Sequence, residues 1–288
     1  MMGAGHARGQ RPRARPSLAA LLALLTLPLL GGACPRHGRI ERAYPPPAPA
    51  ELRQMLVARQ AAVTSINGSA RATSWLGGDR IRATVLVLVE RVGRLRLEAE
   101  VSLQGTVAIL ATDGQRFGLL DVRKNELRRG PACPANIASL IRIPLSPAEV
   151  AAIFLGDAKL PDGDAANDSV DWDGDTGTDV LVIPGAAGQL RYHFRHRDTG
   201  APLLVGVTAV DGAERPIWRV AFEEFVDVPG RRGVVSLPQL IHYAEGASSY
   251  DDGVEIRFKD RTANDPIAPD AFTLSPPAGT PTVEVGCP

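Results

Sequence analysis

From residue 66 to residue 260 the sequence keeps returning to a period of two, and this alternation restricts the possible folds more than any other feature. The segment 93–103, GRLRLEAEVSL, shows it most cleanly. Leu95, Leu97, Ala99, Val101 and Leu103 fall on one face, and Arg94, Arg96, Glu98 and Glu100 on the other. Such a segment is a strand with one face towards a core. The same pattern predicts strands at 66–75, 80–91, 106–112 and 116–123, with a short one at 126–129. It resumes at 179–184, 189–197, 202–210, 216–227, 234–244 and 253–260. Segment 80–91 is apolar on both faces near its middle, which predicts cover on both sides. Val92-Gly93, Gln104-Gly105 and Asp113-Gly114 are hairpin signals. About 11 strands joined by hairpins, without helical crossovers, imply a mainly β chain of the α+β kind built on one antiparallel meander. A sheet that wide must curl or close.

One helix precedes the alternation and two interrupt it. Leu52, Met55, Leu56, Ala62 and Val63 have helical spacing within 50–64. A second helix begins at Pro134, with Ile137, Leu140 and Ile141 on one side. A third follows Ser146, where Pro147, Glu149 and Gly156 supply a first-turn proline, a capping box and a stop, and Val150, Ile153 and Phe154 form its apolar edge.

The N-terminus reads as targeting. Arg8, Arg11, Arg13 and Arg15 precede an apolar run from Leu18, too short for a comfortable membrane span, and Gly31-Gly32-Ala33 precede Cys34. Residues 1–33 are expected to be a secretory signal peptide, and Cys34 to be acylated as the first residue of a bacterial lipoprotein. The match to a lipobox is imperfect, because Leu30 lies four before the cysteine and Gly31 holds the usual leucine place. The alternative is plain cleavage after Ala33 with a free thiol. Residues 34–50, with Pro45-Pro46-Pro47, read as a polyproline spacer, and 51–288 as one domain. Of 32 basic and 32 acidic residues in the chain, the signal segment holds four arginines and no acid. The mature protein is therefore slightly acidic, which argues against a nucleic-acid partner. With Cys34 on lipid, Cys133 and Cys287 remain, and an even pair in an exported protein reads as a disulfide, with two unpaired buried thiols as the alternative. Pro35 replaces the aspartate that commonly retains enteric lipoproteins at the inner membrane, which leans towards an outer-membrane lipoprotein facing the periplasm.

No catalytic constellation emerges, and the chain is expected to be no enzyme, with no cofactor and no metal. The run from Asp171 to Asp179 has glycine at the seventh position and Val182 at the twelfth, which does not fit an EF-hand. It reads as a hairpin tip, with Trp172 packed inward. His37 lies in the spacer, and His193 and His196, three apart on a strand, point to opposite faces. The pairs Glu223-Glu224 and Asp251-Asp252 are adjacent, so on strands they diverge.

The order of these elements resembles the outer-membrane lipoprotein carrier fold of the LolA/LolB type. An acylated-looking Cys34, a helix at 50–64, a meander, a helical insertion at 133–156 and a second meander carry the resemblance. It implies a half-open barrel whose inserted helices form a lid over an apolar cavity for acyl chains or another apolar ligand. The cavity residues expected on that basis are Leu95, Leu97, Val101, Phe117, Leu119, Ile256 and Phe258 from strands, with Ile137, Leu140, Ile153 and Phe154 from the lid. The implied partners are lipid or an acylated lipoprotein, and the membrane through the N-terminal anchor; nothing identifies a protein partner. The alternative is an envelope scaffold whose barrel is filled.

Overall fold

The computed structural model of the protein describes residues 39–76, 79–161 and 165–287. The expected signal segment, Cys34 and His37 lie outside the described residues.

Helix α1 spans Pro49–Ala62. Proline opens it, Glu51 sits in the first turn and Arg59 in the last, each suited to its end of the helix dipole. Only Leu52 and Leu56, one turn apart, are buried, so its hydrophobic contact is one narrow stripe.

Six strands follow: β1 (Ser65–Leu76), β2 (Asp79–Glu90), β3 (Arg94–Val101), β4 (Gly105–Thr112), β5 (Arg116–Asp121) and β6 (Glu126–Pro131). Helices α2 (Pro134–Ile141) and α3 (Pro147–Phe154) form the insertion. The second meander is β7 (Ser169–Asp173), β8 (Thr178–Gly185), β9 (Gly188–Arg195), β10 (Leu203–Asp211), β11 (Pro216–Val228), β12 (Val235–Glu245) and β13 (Val254–Ala263), and β14 (Thr282–Glu284) ends the series. All belong to one 14-stranded sheet in the order β14-β6-β5-β4-β3-β2-β1-β13-β12-β11-β10-β9-β8-β7. The two meanders join where β13 returns beside β1, from Ile66↔Ala263 to Ser74↔Val254.

This corrects the expected count of about 11 and the purely antiparallel sheet. β7 is the outer arm of the Asp171–Asp179 hairpin, and β14 pairs with β6 in parallel. A strand carrying Trp172 is implied by the hairpin reading but not counted, and β14 shows no usable alternation because it is three exposed residues among prolines and glycines. The sheet keeps two free edges, so it is not closed into a barrel. Register shifts at Ser69/Ala70, Ala99/Glu100 and Leu204/Gly206 mark where strands bend, as bulges do.

The inner face carries the core: Val87 and Val89 of β2, Leu95 and Leu97 of β3, Tyr192, Phe222 and Tyr243 of the second meander. α3 lies buried on β2 and β3, with Phe154 edge-on to Phe258 at 6.3 Å. Its start is the predicted one: Ser146 and Glu149 cap each other's backbone, and Gly156 ends the segment at φ 75°. The outer face of β3–β5 is covered by the C-terminal segment. Phe272 is buried, and Arg96 and Arg129 donate to the carbonyls of Ala271 and Leu274, each at 3.0 Å. That cover stops short of β2, where Leu86 remains exposed, contrary to the two-sided cover expected for 80–91. Cys133, at the start of α2, is bonded to Cys287 with Cα atoms 6.2 Å apart.

Candidate functional site

The inner face of β1–β4 is not filled. A cavity of about 210 Å³ remains beneath the lid helices. It exists because small residues stand at facing inward positions: Ala72↔Ala83 between β1 and β2, and Ala99↔Ala108 between β3 and β4. Val85 and Ile256 complete the floor, and Leu140, Ile141 and Phe154 form the roof. The lining is overwhelmingly apolar, so the cavity favours hydrocarbon over water. It lies at the end of the sheet where β1 and β3 finish and β2 and β4 begin. Ser74, Ile81 and Arg82 belong to its edge there, Ile81 is half exposed, and the adjoining β3–β4 turn leaves Leu103 bare.

Four of the eleven expected cavity residues line this space: Val101, Leu140, Phe154 and Ile256. The other seven, Leu95, Leu97, Phe117, Leu119, Ile137, Ile153 and Phe258, are buried in the surrounding core. The expected lining consists of large apolar side chains, and the alanines that open the space are not among them. Their signal was present as alanine recurring at inward positions of consecutive strands, but its meaning depends on the register that sets them face to face.

The C-terminal end of the helical insertion is a polar knot. Asp157, one residue past Gly156, is fully buried. Its Oδ2 lies 3.1 Å from Arg91 Nη1, and Gln60 of α1 donates to its Oδ1 at 3.4 Å. The Arg91 contact is an ion pair without the alignment of a hydrogen bond. Burial pushes the Asp157 carboxyl up to about 6, against the pull of Arg91 and Arg59. Arg59 donates to the Gly156 carbonyl at 3.2 Å, so α1 and the lid end are tied together. The other end of the lid is held by the disulfide.

Residues 40–44 belong to the packed domain, where a spacer was expected. The Ile40 N–H donates to Gly174 O at 2.8 Å, and Trp172 Nε1 donates to Ile40 O at 2.9 Å. Arg42 lies 2.7 Å from Asp179 and 4.9 Å over the Trp172 ring. Tyr44 donates to Asp179 Oδ2 at 2.9 Å and stacks on His196 at 3.8 Å. Trp172 is therefore a seat for this strap; it is half-buried against the strap and makes no part of the inner core. The aspartates of the hairpin are occupied locally. Asp173 accepts from the backbone of Asp175 and Thr176, and Asp179 is matched by the strap. Among the described residues no group of three or more His, Cys, Asp and Glu side chains is placed to hold a metal ion, and no helix is long and apolar enough to cross a membrane.

One open sheet of two meanders, a leading helix and an inserted helical lid over an apolar cavity constitute a LolA-like fold, the architecture that the element order resembled. Among solved structures, a DUF1329 family protein from Desulfovibrio piger superposes with a TM-score of 0.50 at 12% identity, over 79% of this chain and 98% of that one. A LolA superfamily protein from Nitrosomonas europaea is also similar (TM-score 0.49, 10% identity, 77% and 97% coverage). So is a domain assigned to outer membrane lipoprotein sorting from Vibrio parahaemolyticus (0.47, 10%, 77% and 94%). No family model and no curated protein matches the sequence.

Proposed function

We propose that the protein is an exported, membrane-anchored lipoprotein that binds the end of an acyl chain, or a comparable apolar group, beneath its lid. The observation that carries this reading is the alanine-walled cavity, on the same face as the lid. At about 210 Å³ it exceeds the roughly 150 Å³ of an apolar cavity that admits benzene, and falls below the roughly 300 Å³ at which drug-sized sites begin. It therefore suits part of a chain and not a whole lipid. Anchoring through Cys34 at the envelope, a binding role without catalysis, and a place in lipid or lipoprotein traffic belong to this reading. The names of the similar LolA and lipoprotein-sorting structures are in keeping with it.

The filled second meander, with Tyr192, Phe222 and Tyr243 in its core, favours a scaffold as the competing reading. The two are separated by titrating the purified protein with a fluorescent medium-chain fatty acid. Binding is expected, and Ala99→Leu, which extends a side chain into the cavity, should weaken it by about tenfold or more. Absence of binding in the unsubstituted protein, or equal binding by the leucine variant, would leave the scaffold.

A further inference from the structure

The opposite face of the sheet carries a second, larger hollow of about 730 Å³ on the second meander. Its origin is in the register. His193, Gly206 and Ala221 are paired neighbours across β9, β10 and β11, and the last two leave the sheet nearly bare. Longer polar residues rise on both sides: Thr178, Arg195 and Glu223 on one, Thr208 and Arg219 on the other. Two irregularities shape it. One is the register shift between Leu204 and Gly206. The other is Glu224, whose φ of 52° breaks the alternation, so that Glu223 and Glu224 both line the hollow where the sequence predicted divergence.

Its polar groups are held in place. The Arg219 guanidinium stacks on Tyr250 at 5.1 Å and donates from Nη2 to the Ser248 carbonyl, while its Nε is shielded from solvent and makes no hydrogen bond. His193 Nε2 lies 3.4 Å from the Thr208 hydroxyl. Burial holds this imidazole below its usual range, against Asp173, so near neutral pH it is uncharged, able both to donate and to accept. Thr176 and Thr178 share a hydroxyl contact at 2.8 Å at the rim.

We propose that this hollow binds a small, hydroxyl-bearing monocarboxylate of the sugar-acid class. Arg219, which lines the hollow and is held by Tyr250 and the Ser248 carbonyl, takes the carboxylate, as a rigid guanidinium suits a planar anion. His193, Thr208 and Glu223 meet the hydroxyls as mixed donors and acceptors. The lining sets Arg195 and Arg219 against Asp173, Glu223 and Glu224, the last already paired with Arg257, so its charge is near balance and suits a singly charged carboxylate better than a phosphate, which carries more negative charge. The site lies across the sheet from the apolar cavity and does not depend on what that cavity holds.

Isothermal titration of the purified protein with D-glucuronate, D-glucose and inorganic phosphate tests this. Glucuronate is expected to bind about tenfold or more tightly than either of the others. Arg219→Gln should lose at least about tenfold of that affinity. Ala221→Leu, which fills the bare floor from the outer face, should abolish binding with the circular dichroism spectrum unchanged. No glucuronate binding at about 10 mM, phosphate binding as tight as glucuronate, or glucuronate affinity unmoved by both substitutions would each overturn the proposal.

Discussion

Replacing Arg42 by alanine tests whether the strap is structural. Asp179 is 3% exposed, and its carboxylate has two partners in the strap, Arg42 at 2.7 Å and the Tyr44 hydroxyl at 2.9 Å. Removing one member of a buried ion pair typically costs about 3–5 kcal/mol, because the other charge stays in a poor solvent. Here Tyr44 remains, and the Arg42 side chain is 18% exposed, so water can approach from that side. Those features reduce the expectation to about 2–3 kcal/mol, including about 0.5–1 for the guanidinium over Trp172. In Arg42→Ala/Asp179→Asn the stranded charge is gone, so the double variant should be less unstable than the sum of the singles. The coupling expected is about 1–2 kcal/mol. Urea unfolding followed by tryptophan fluorescence measures both quantities. A loss below about 0.5 kcal/mol for Arg42→Ala, with no coupling, would refute the reasoning and return residues 40–44 to the status of a spacer.

The remaining expectations concern the two ends of the lid. Asp157 has its folded-state pKa raised to about 6, above the roughly 3.9 of an unfolded chain, so the folded state holds the proton more tightly. Its contribution therefore favours folding below about pH 4, declines as pH rises towards 6, and is level above that. The stability difference between the unsubstituted protein and Asp157→Asn, measured by denaturant titration from pH 4 to 7, should narrow or reverse in that direction. A difference that grows with pH would mean that pairing with Arg91 outweighs burial. The Cys133–Cys287 bond closes a separation of 154 residues, and loop entropy assigns it roughly 4–5 kcal/mol. Cys133→Ser/Cys287→Ser should lower the melting temperature and raise amide exchange in β14. An unchanged melting temperature would show that the pairing of β14 with β6 alone suffices to hold the chain end.

Much of the architecture was written in local patterns. The alternation in 93–103 determined which residues of β3 face inward, because a strand has only two faces. Ser146, Pro147, Glu149 and Gly156 set the limits of α3 through contacts within one or two turns. The odd and even cysteines pointed to the Cys133–Cys287 bond by arithmetic. The features that were not legible are set by contacts between distant segments or by a single irregular backbone angle. β14 forms because β6 has an open edge and the C-terminus is fastened beside it. Ile40–Tyr44 are ordered by Trp172 and Asp179, more than 120 residues away, and nothing in their own sequence says so. Glu223 and Glu224 share a side because the left-handed backbone at Glu224 (φ 52°) turns its side chain, while the β11–β12 register runs unbroken on either side.

The cavity divides the two kinds of information most sharply. Composition and period alone sufficed to say that this chain makes a wide curled sheet with a helical insertion and an apolar inner face. They could not say whether that face is full, since a filled face and an open one show the same alternation. Only the register decided it, by setting Ala72 against Ala83 and Ala99 against Ala108 under Leu140 and Phe154. Side chains one methyl group long on facing strands cannot reach the roof, and close packing, which fills most of a protein interior, fails there for lack of atoms.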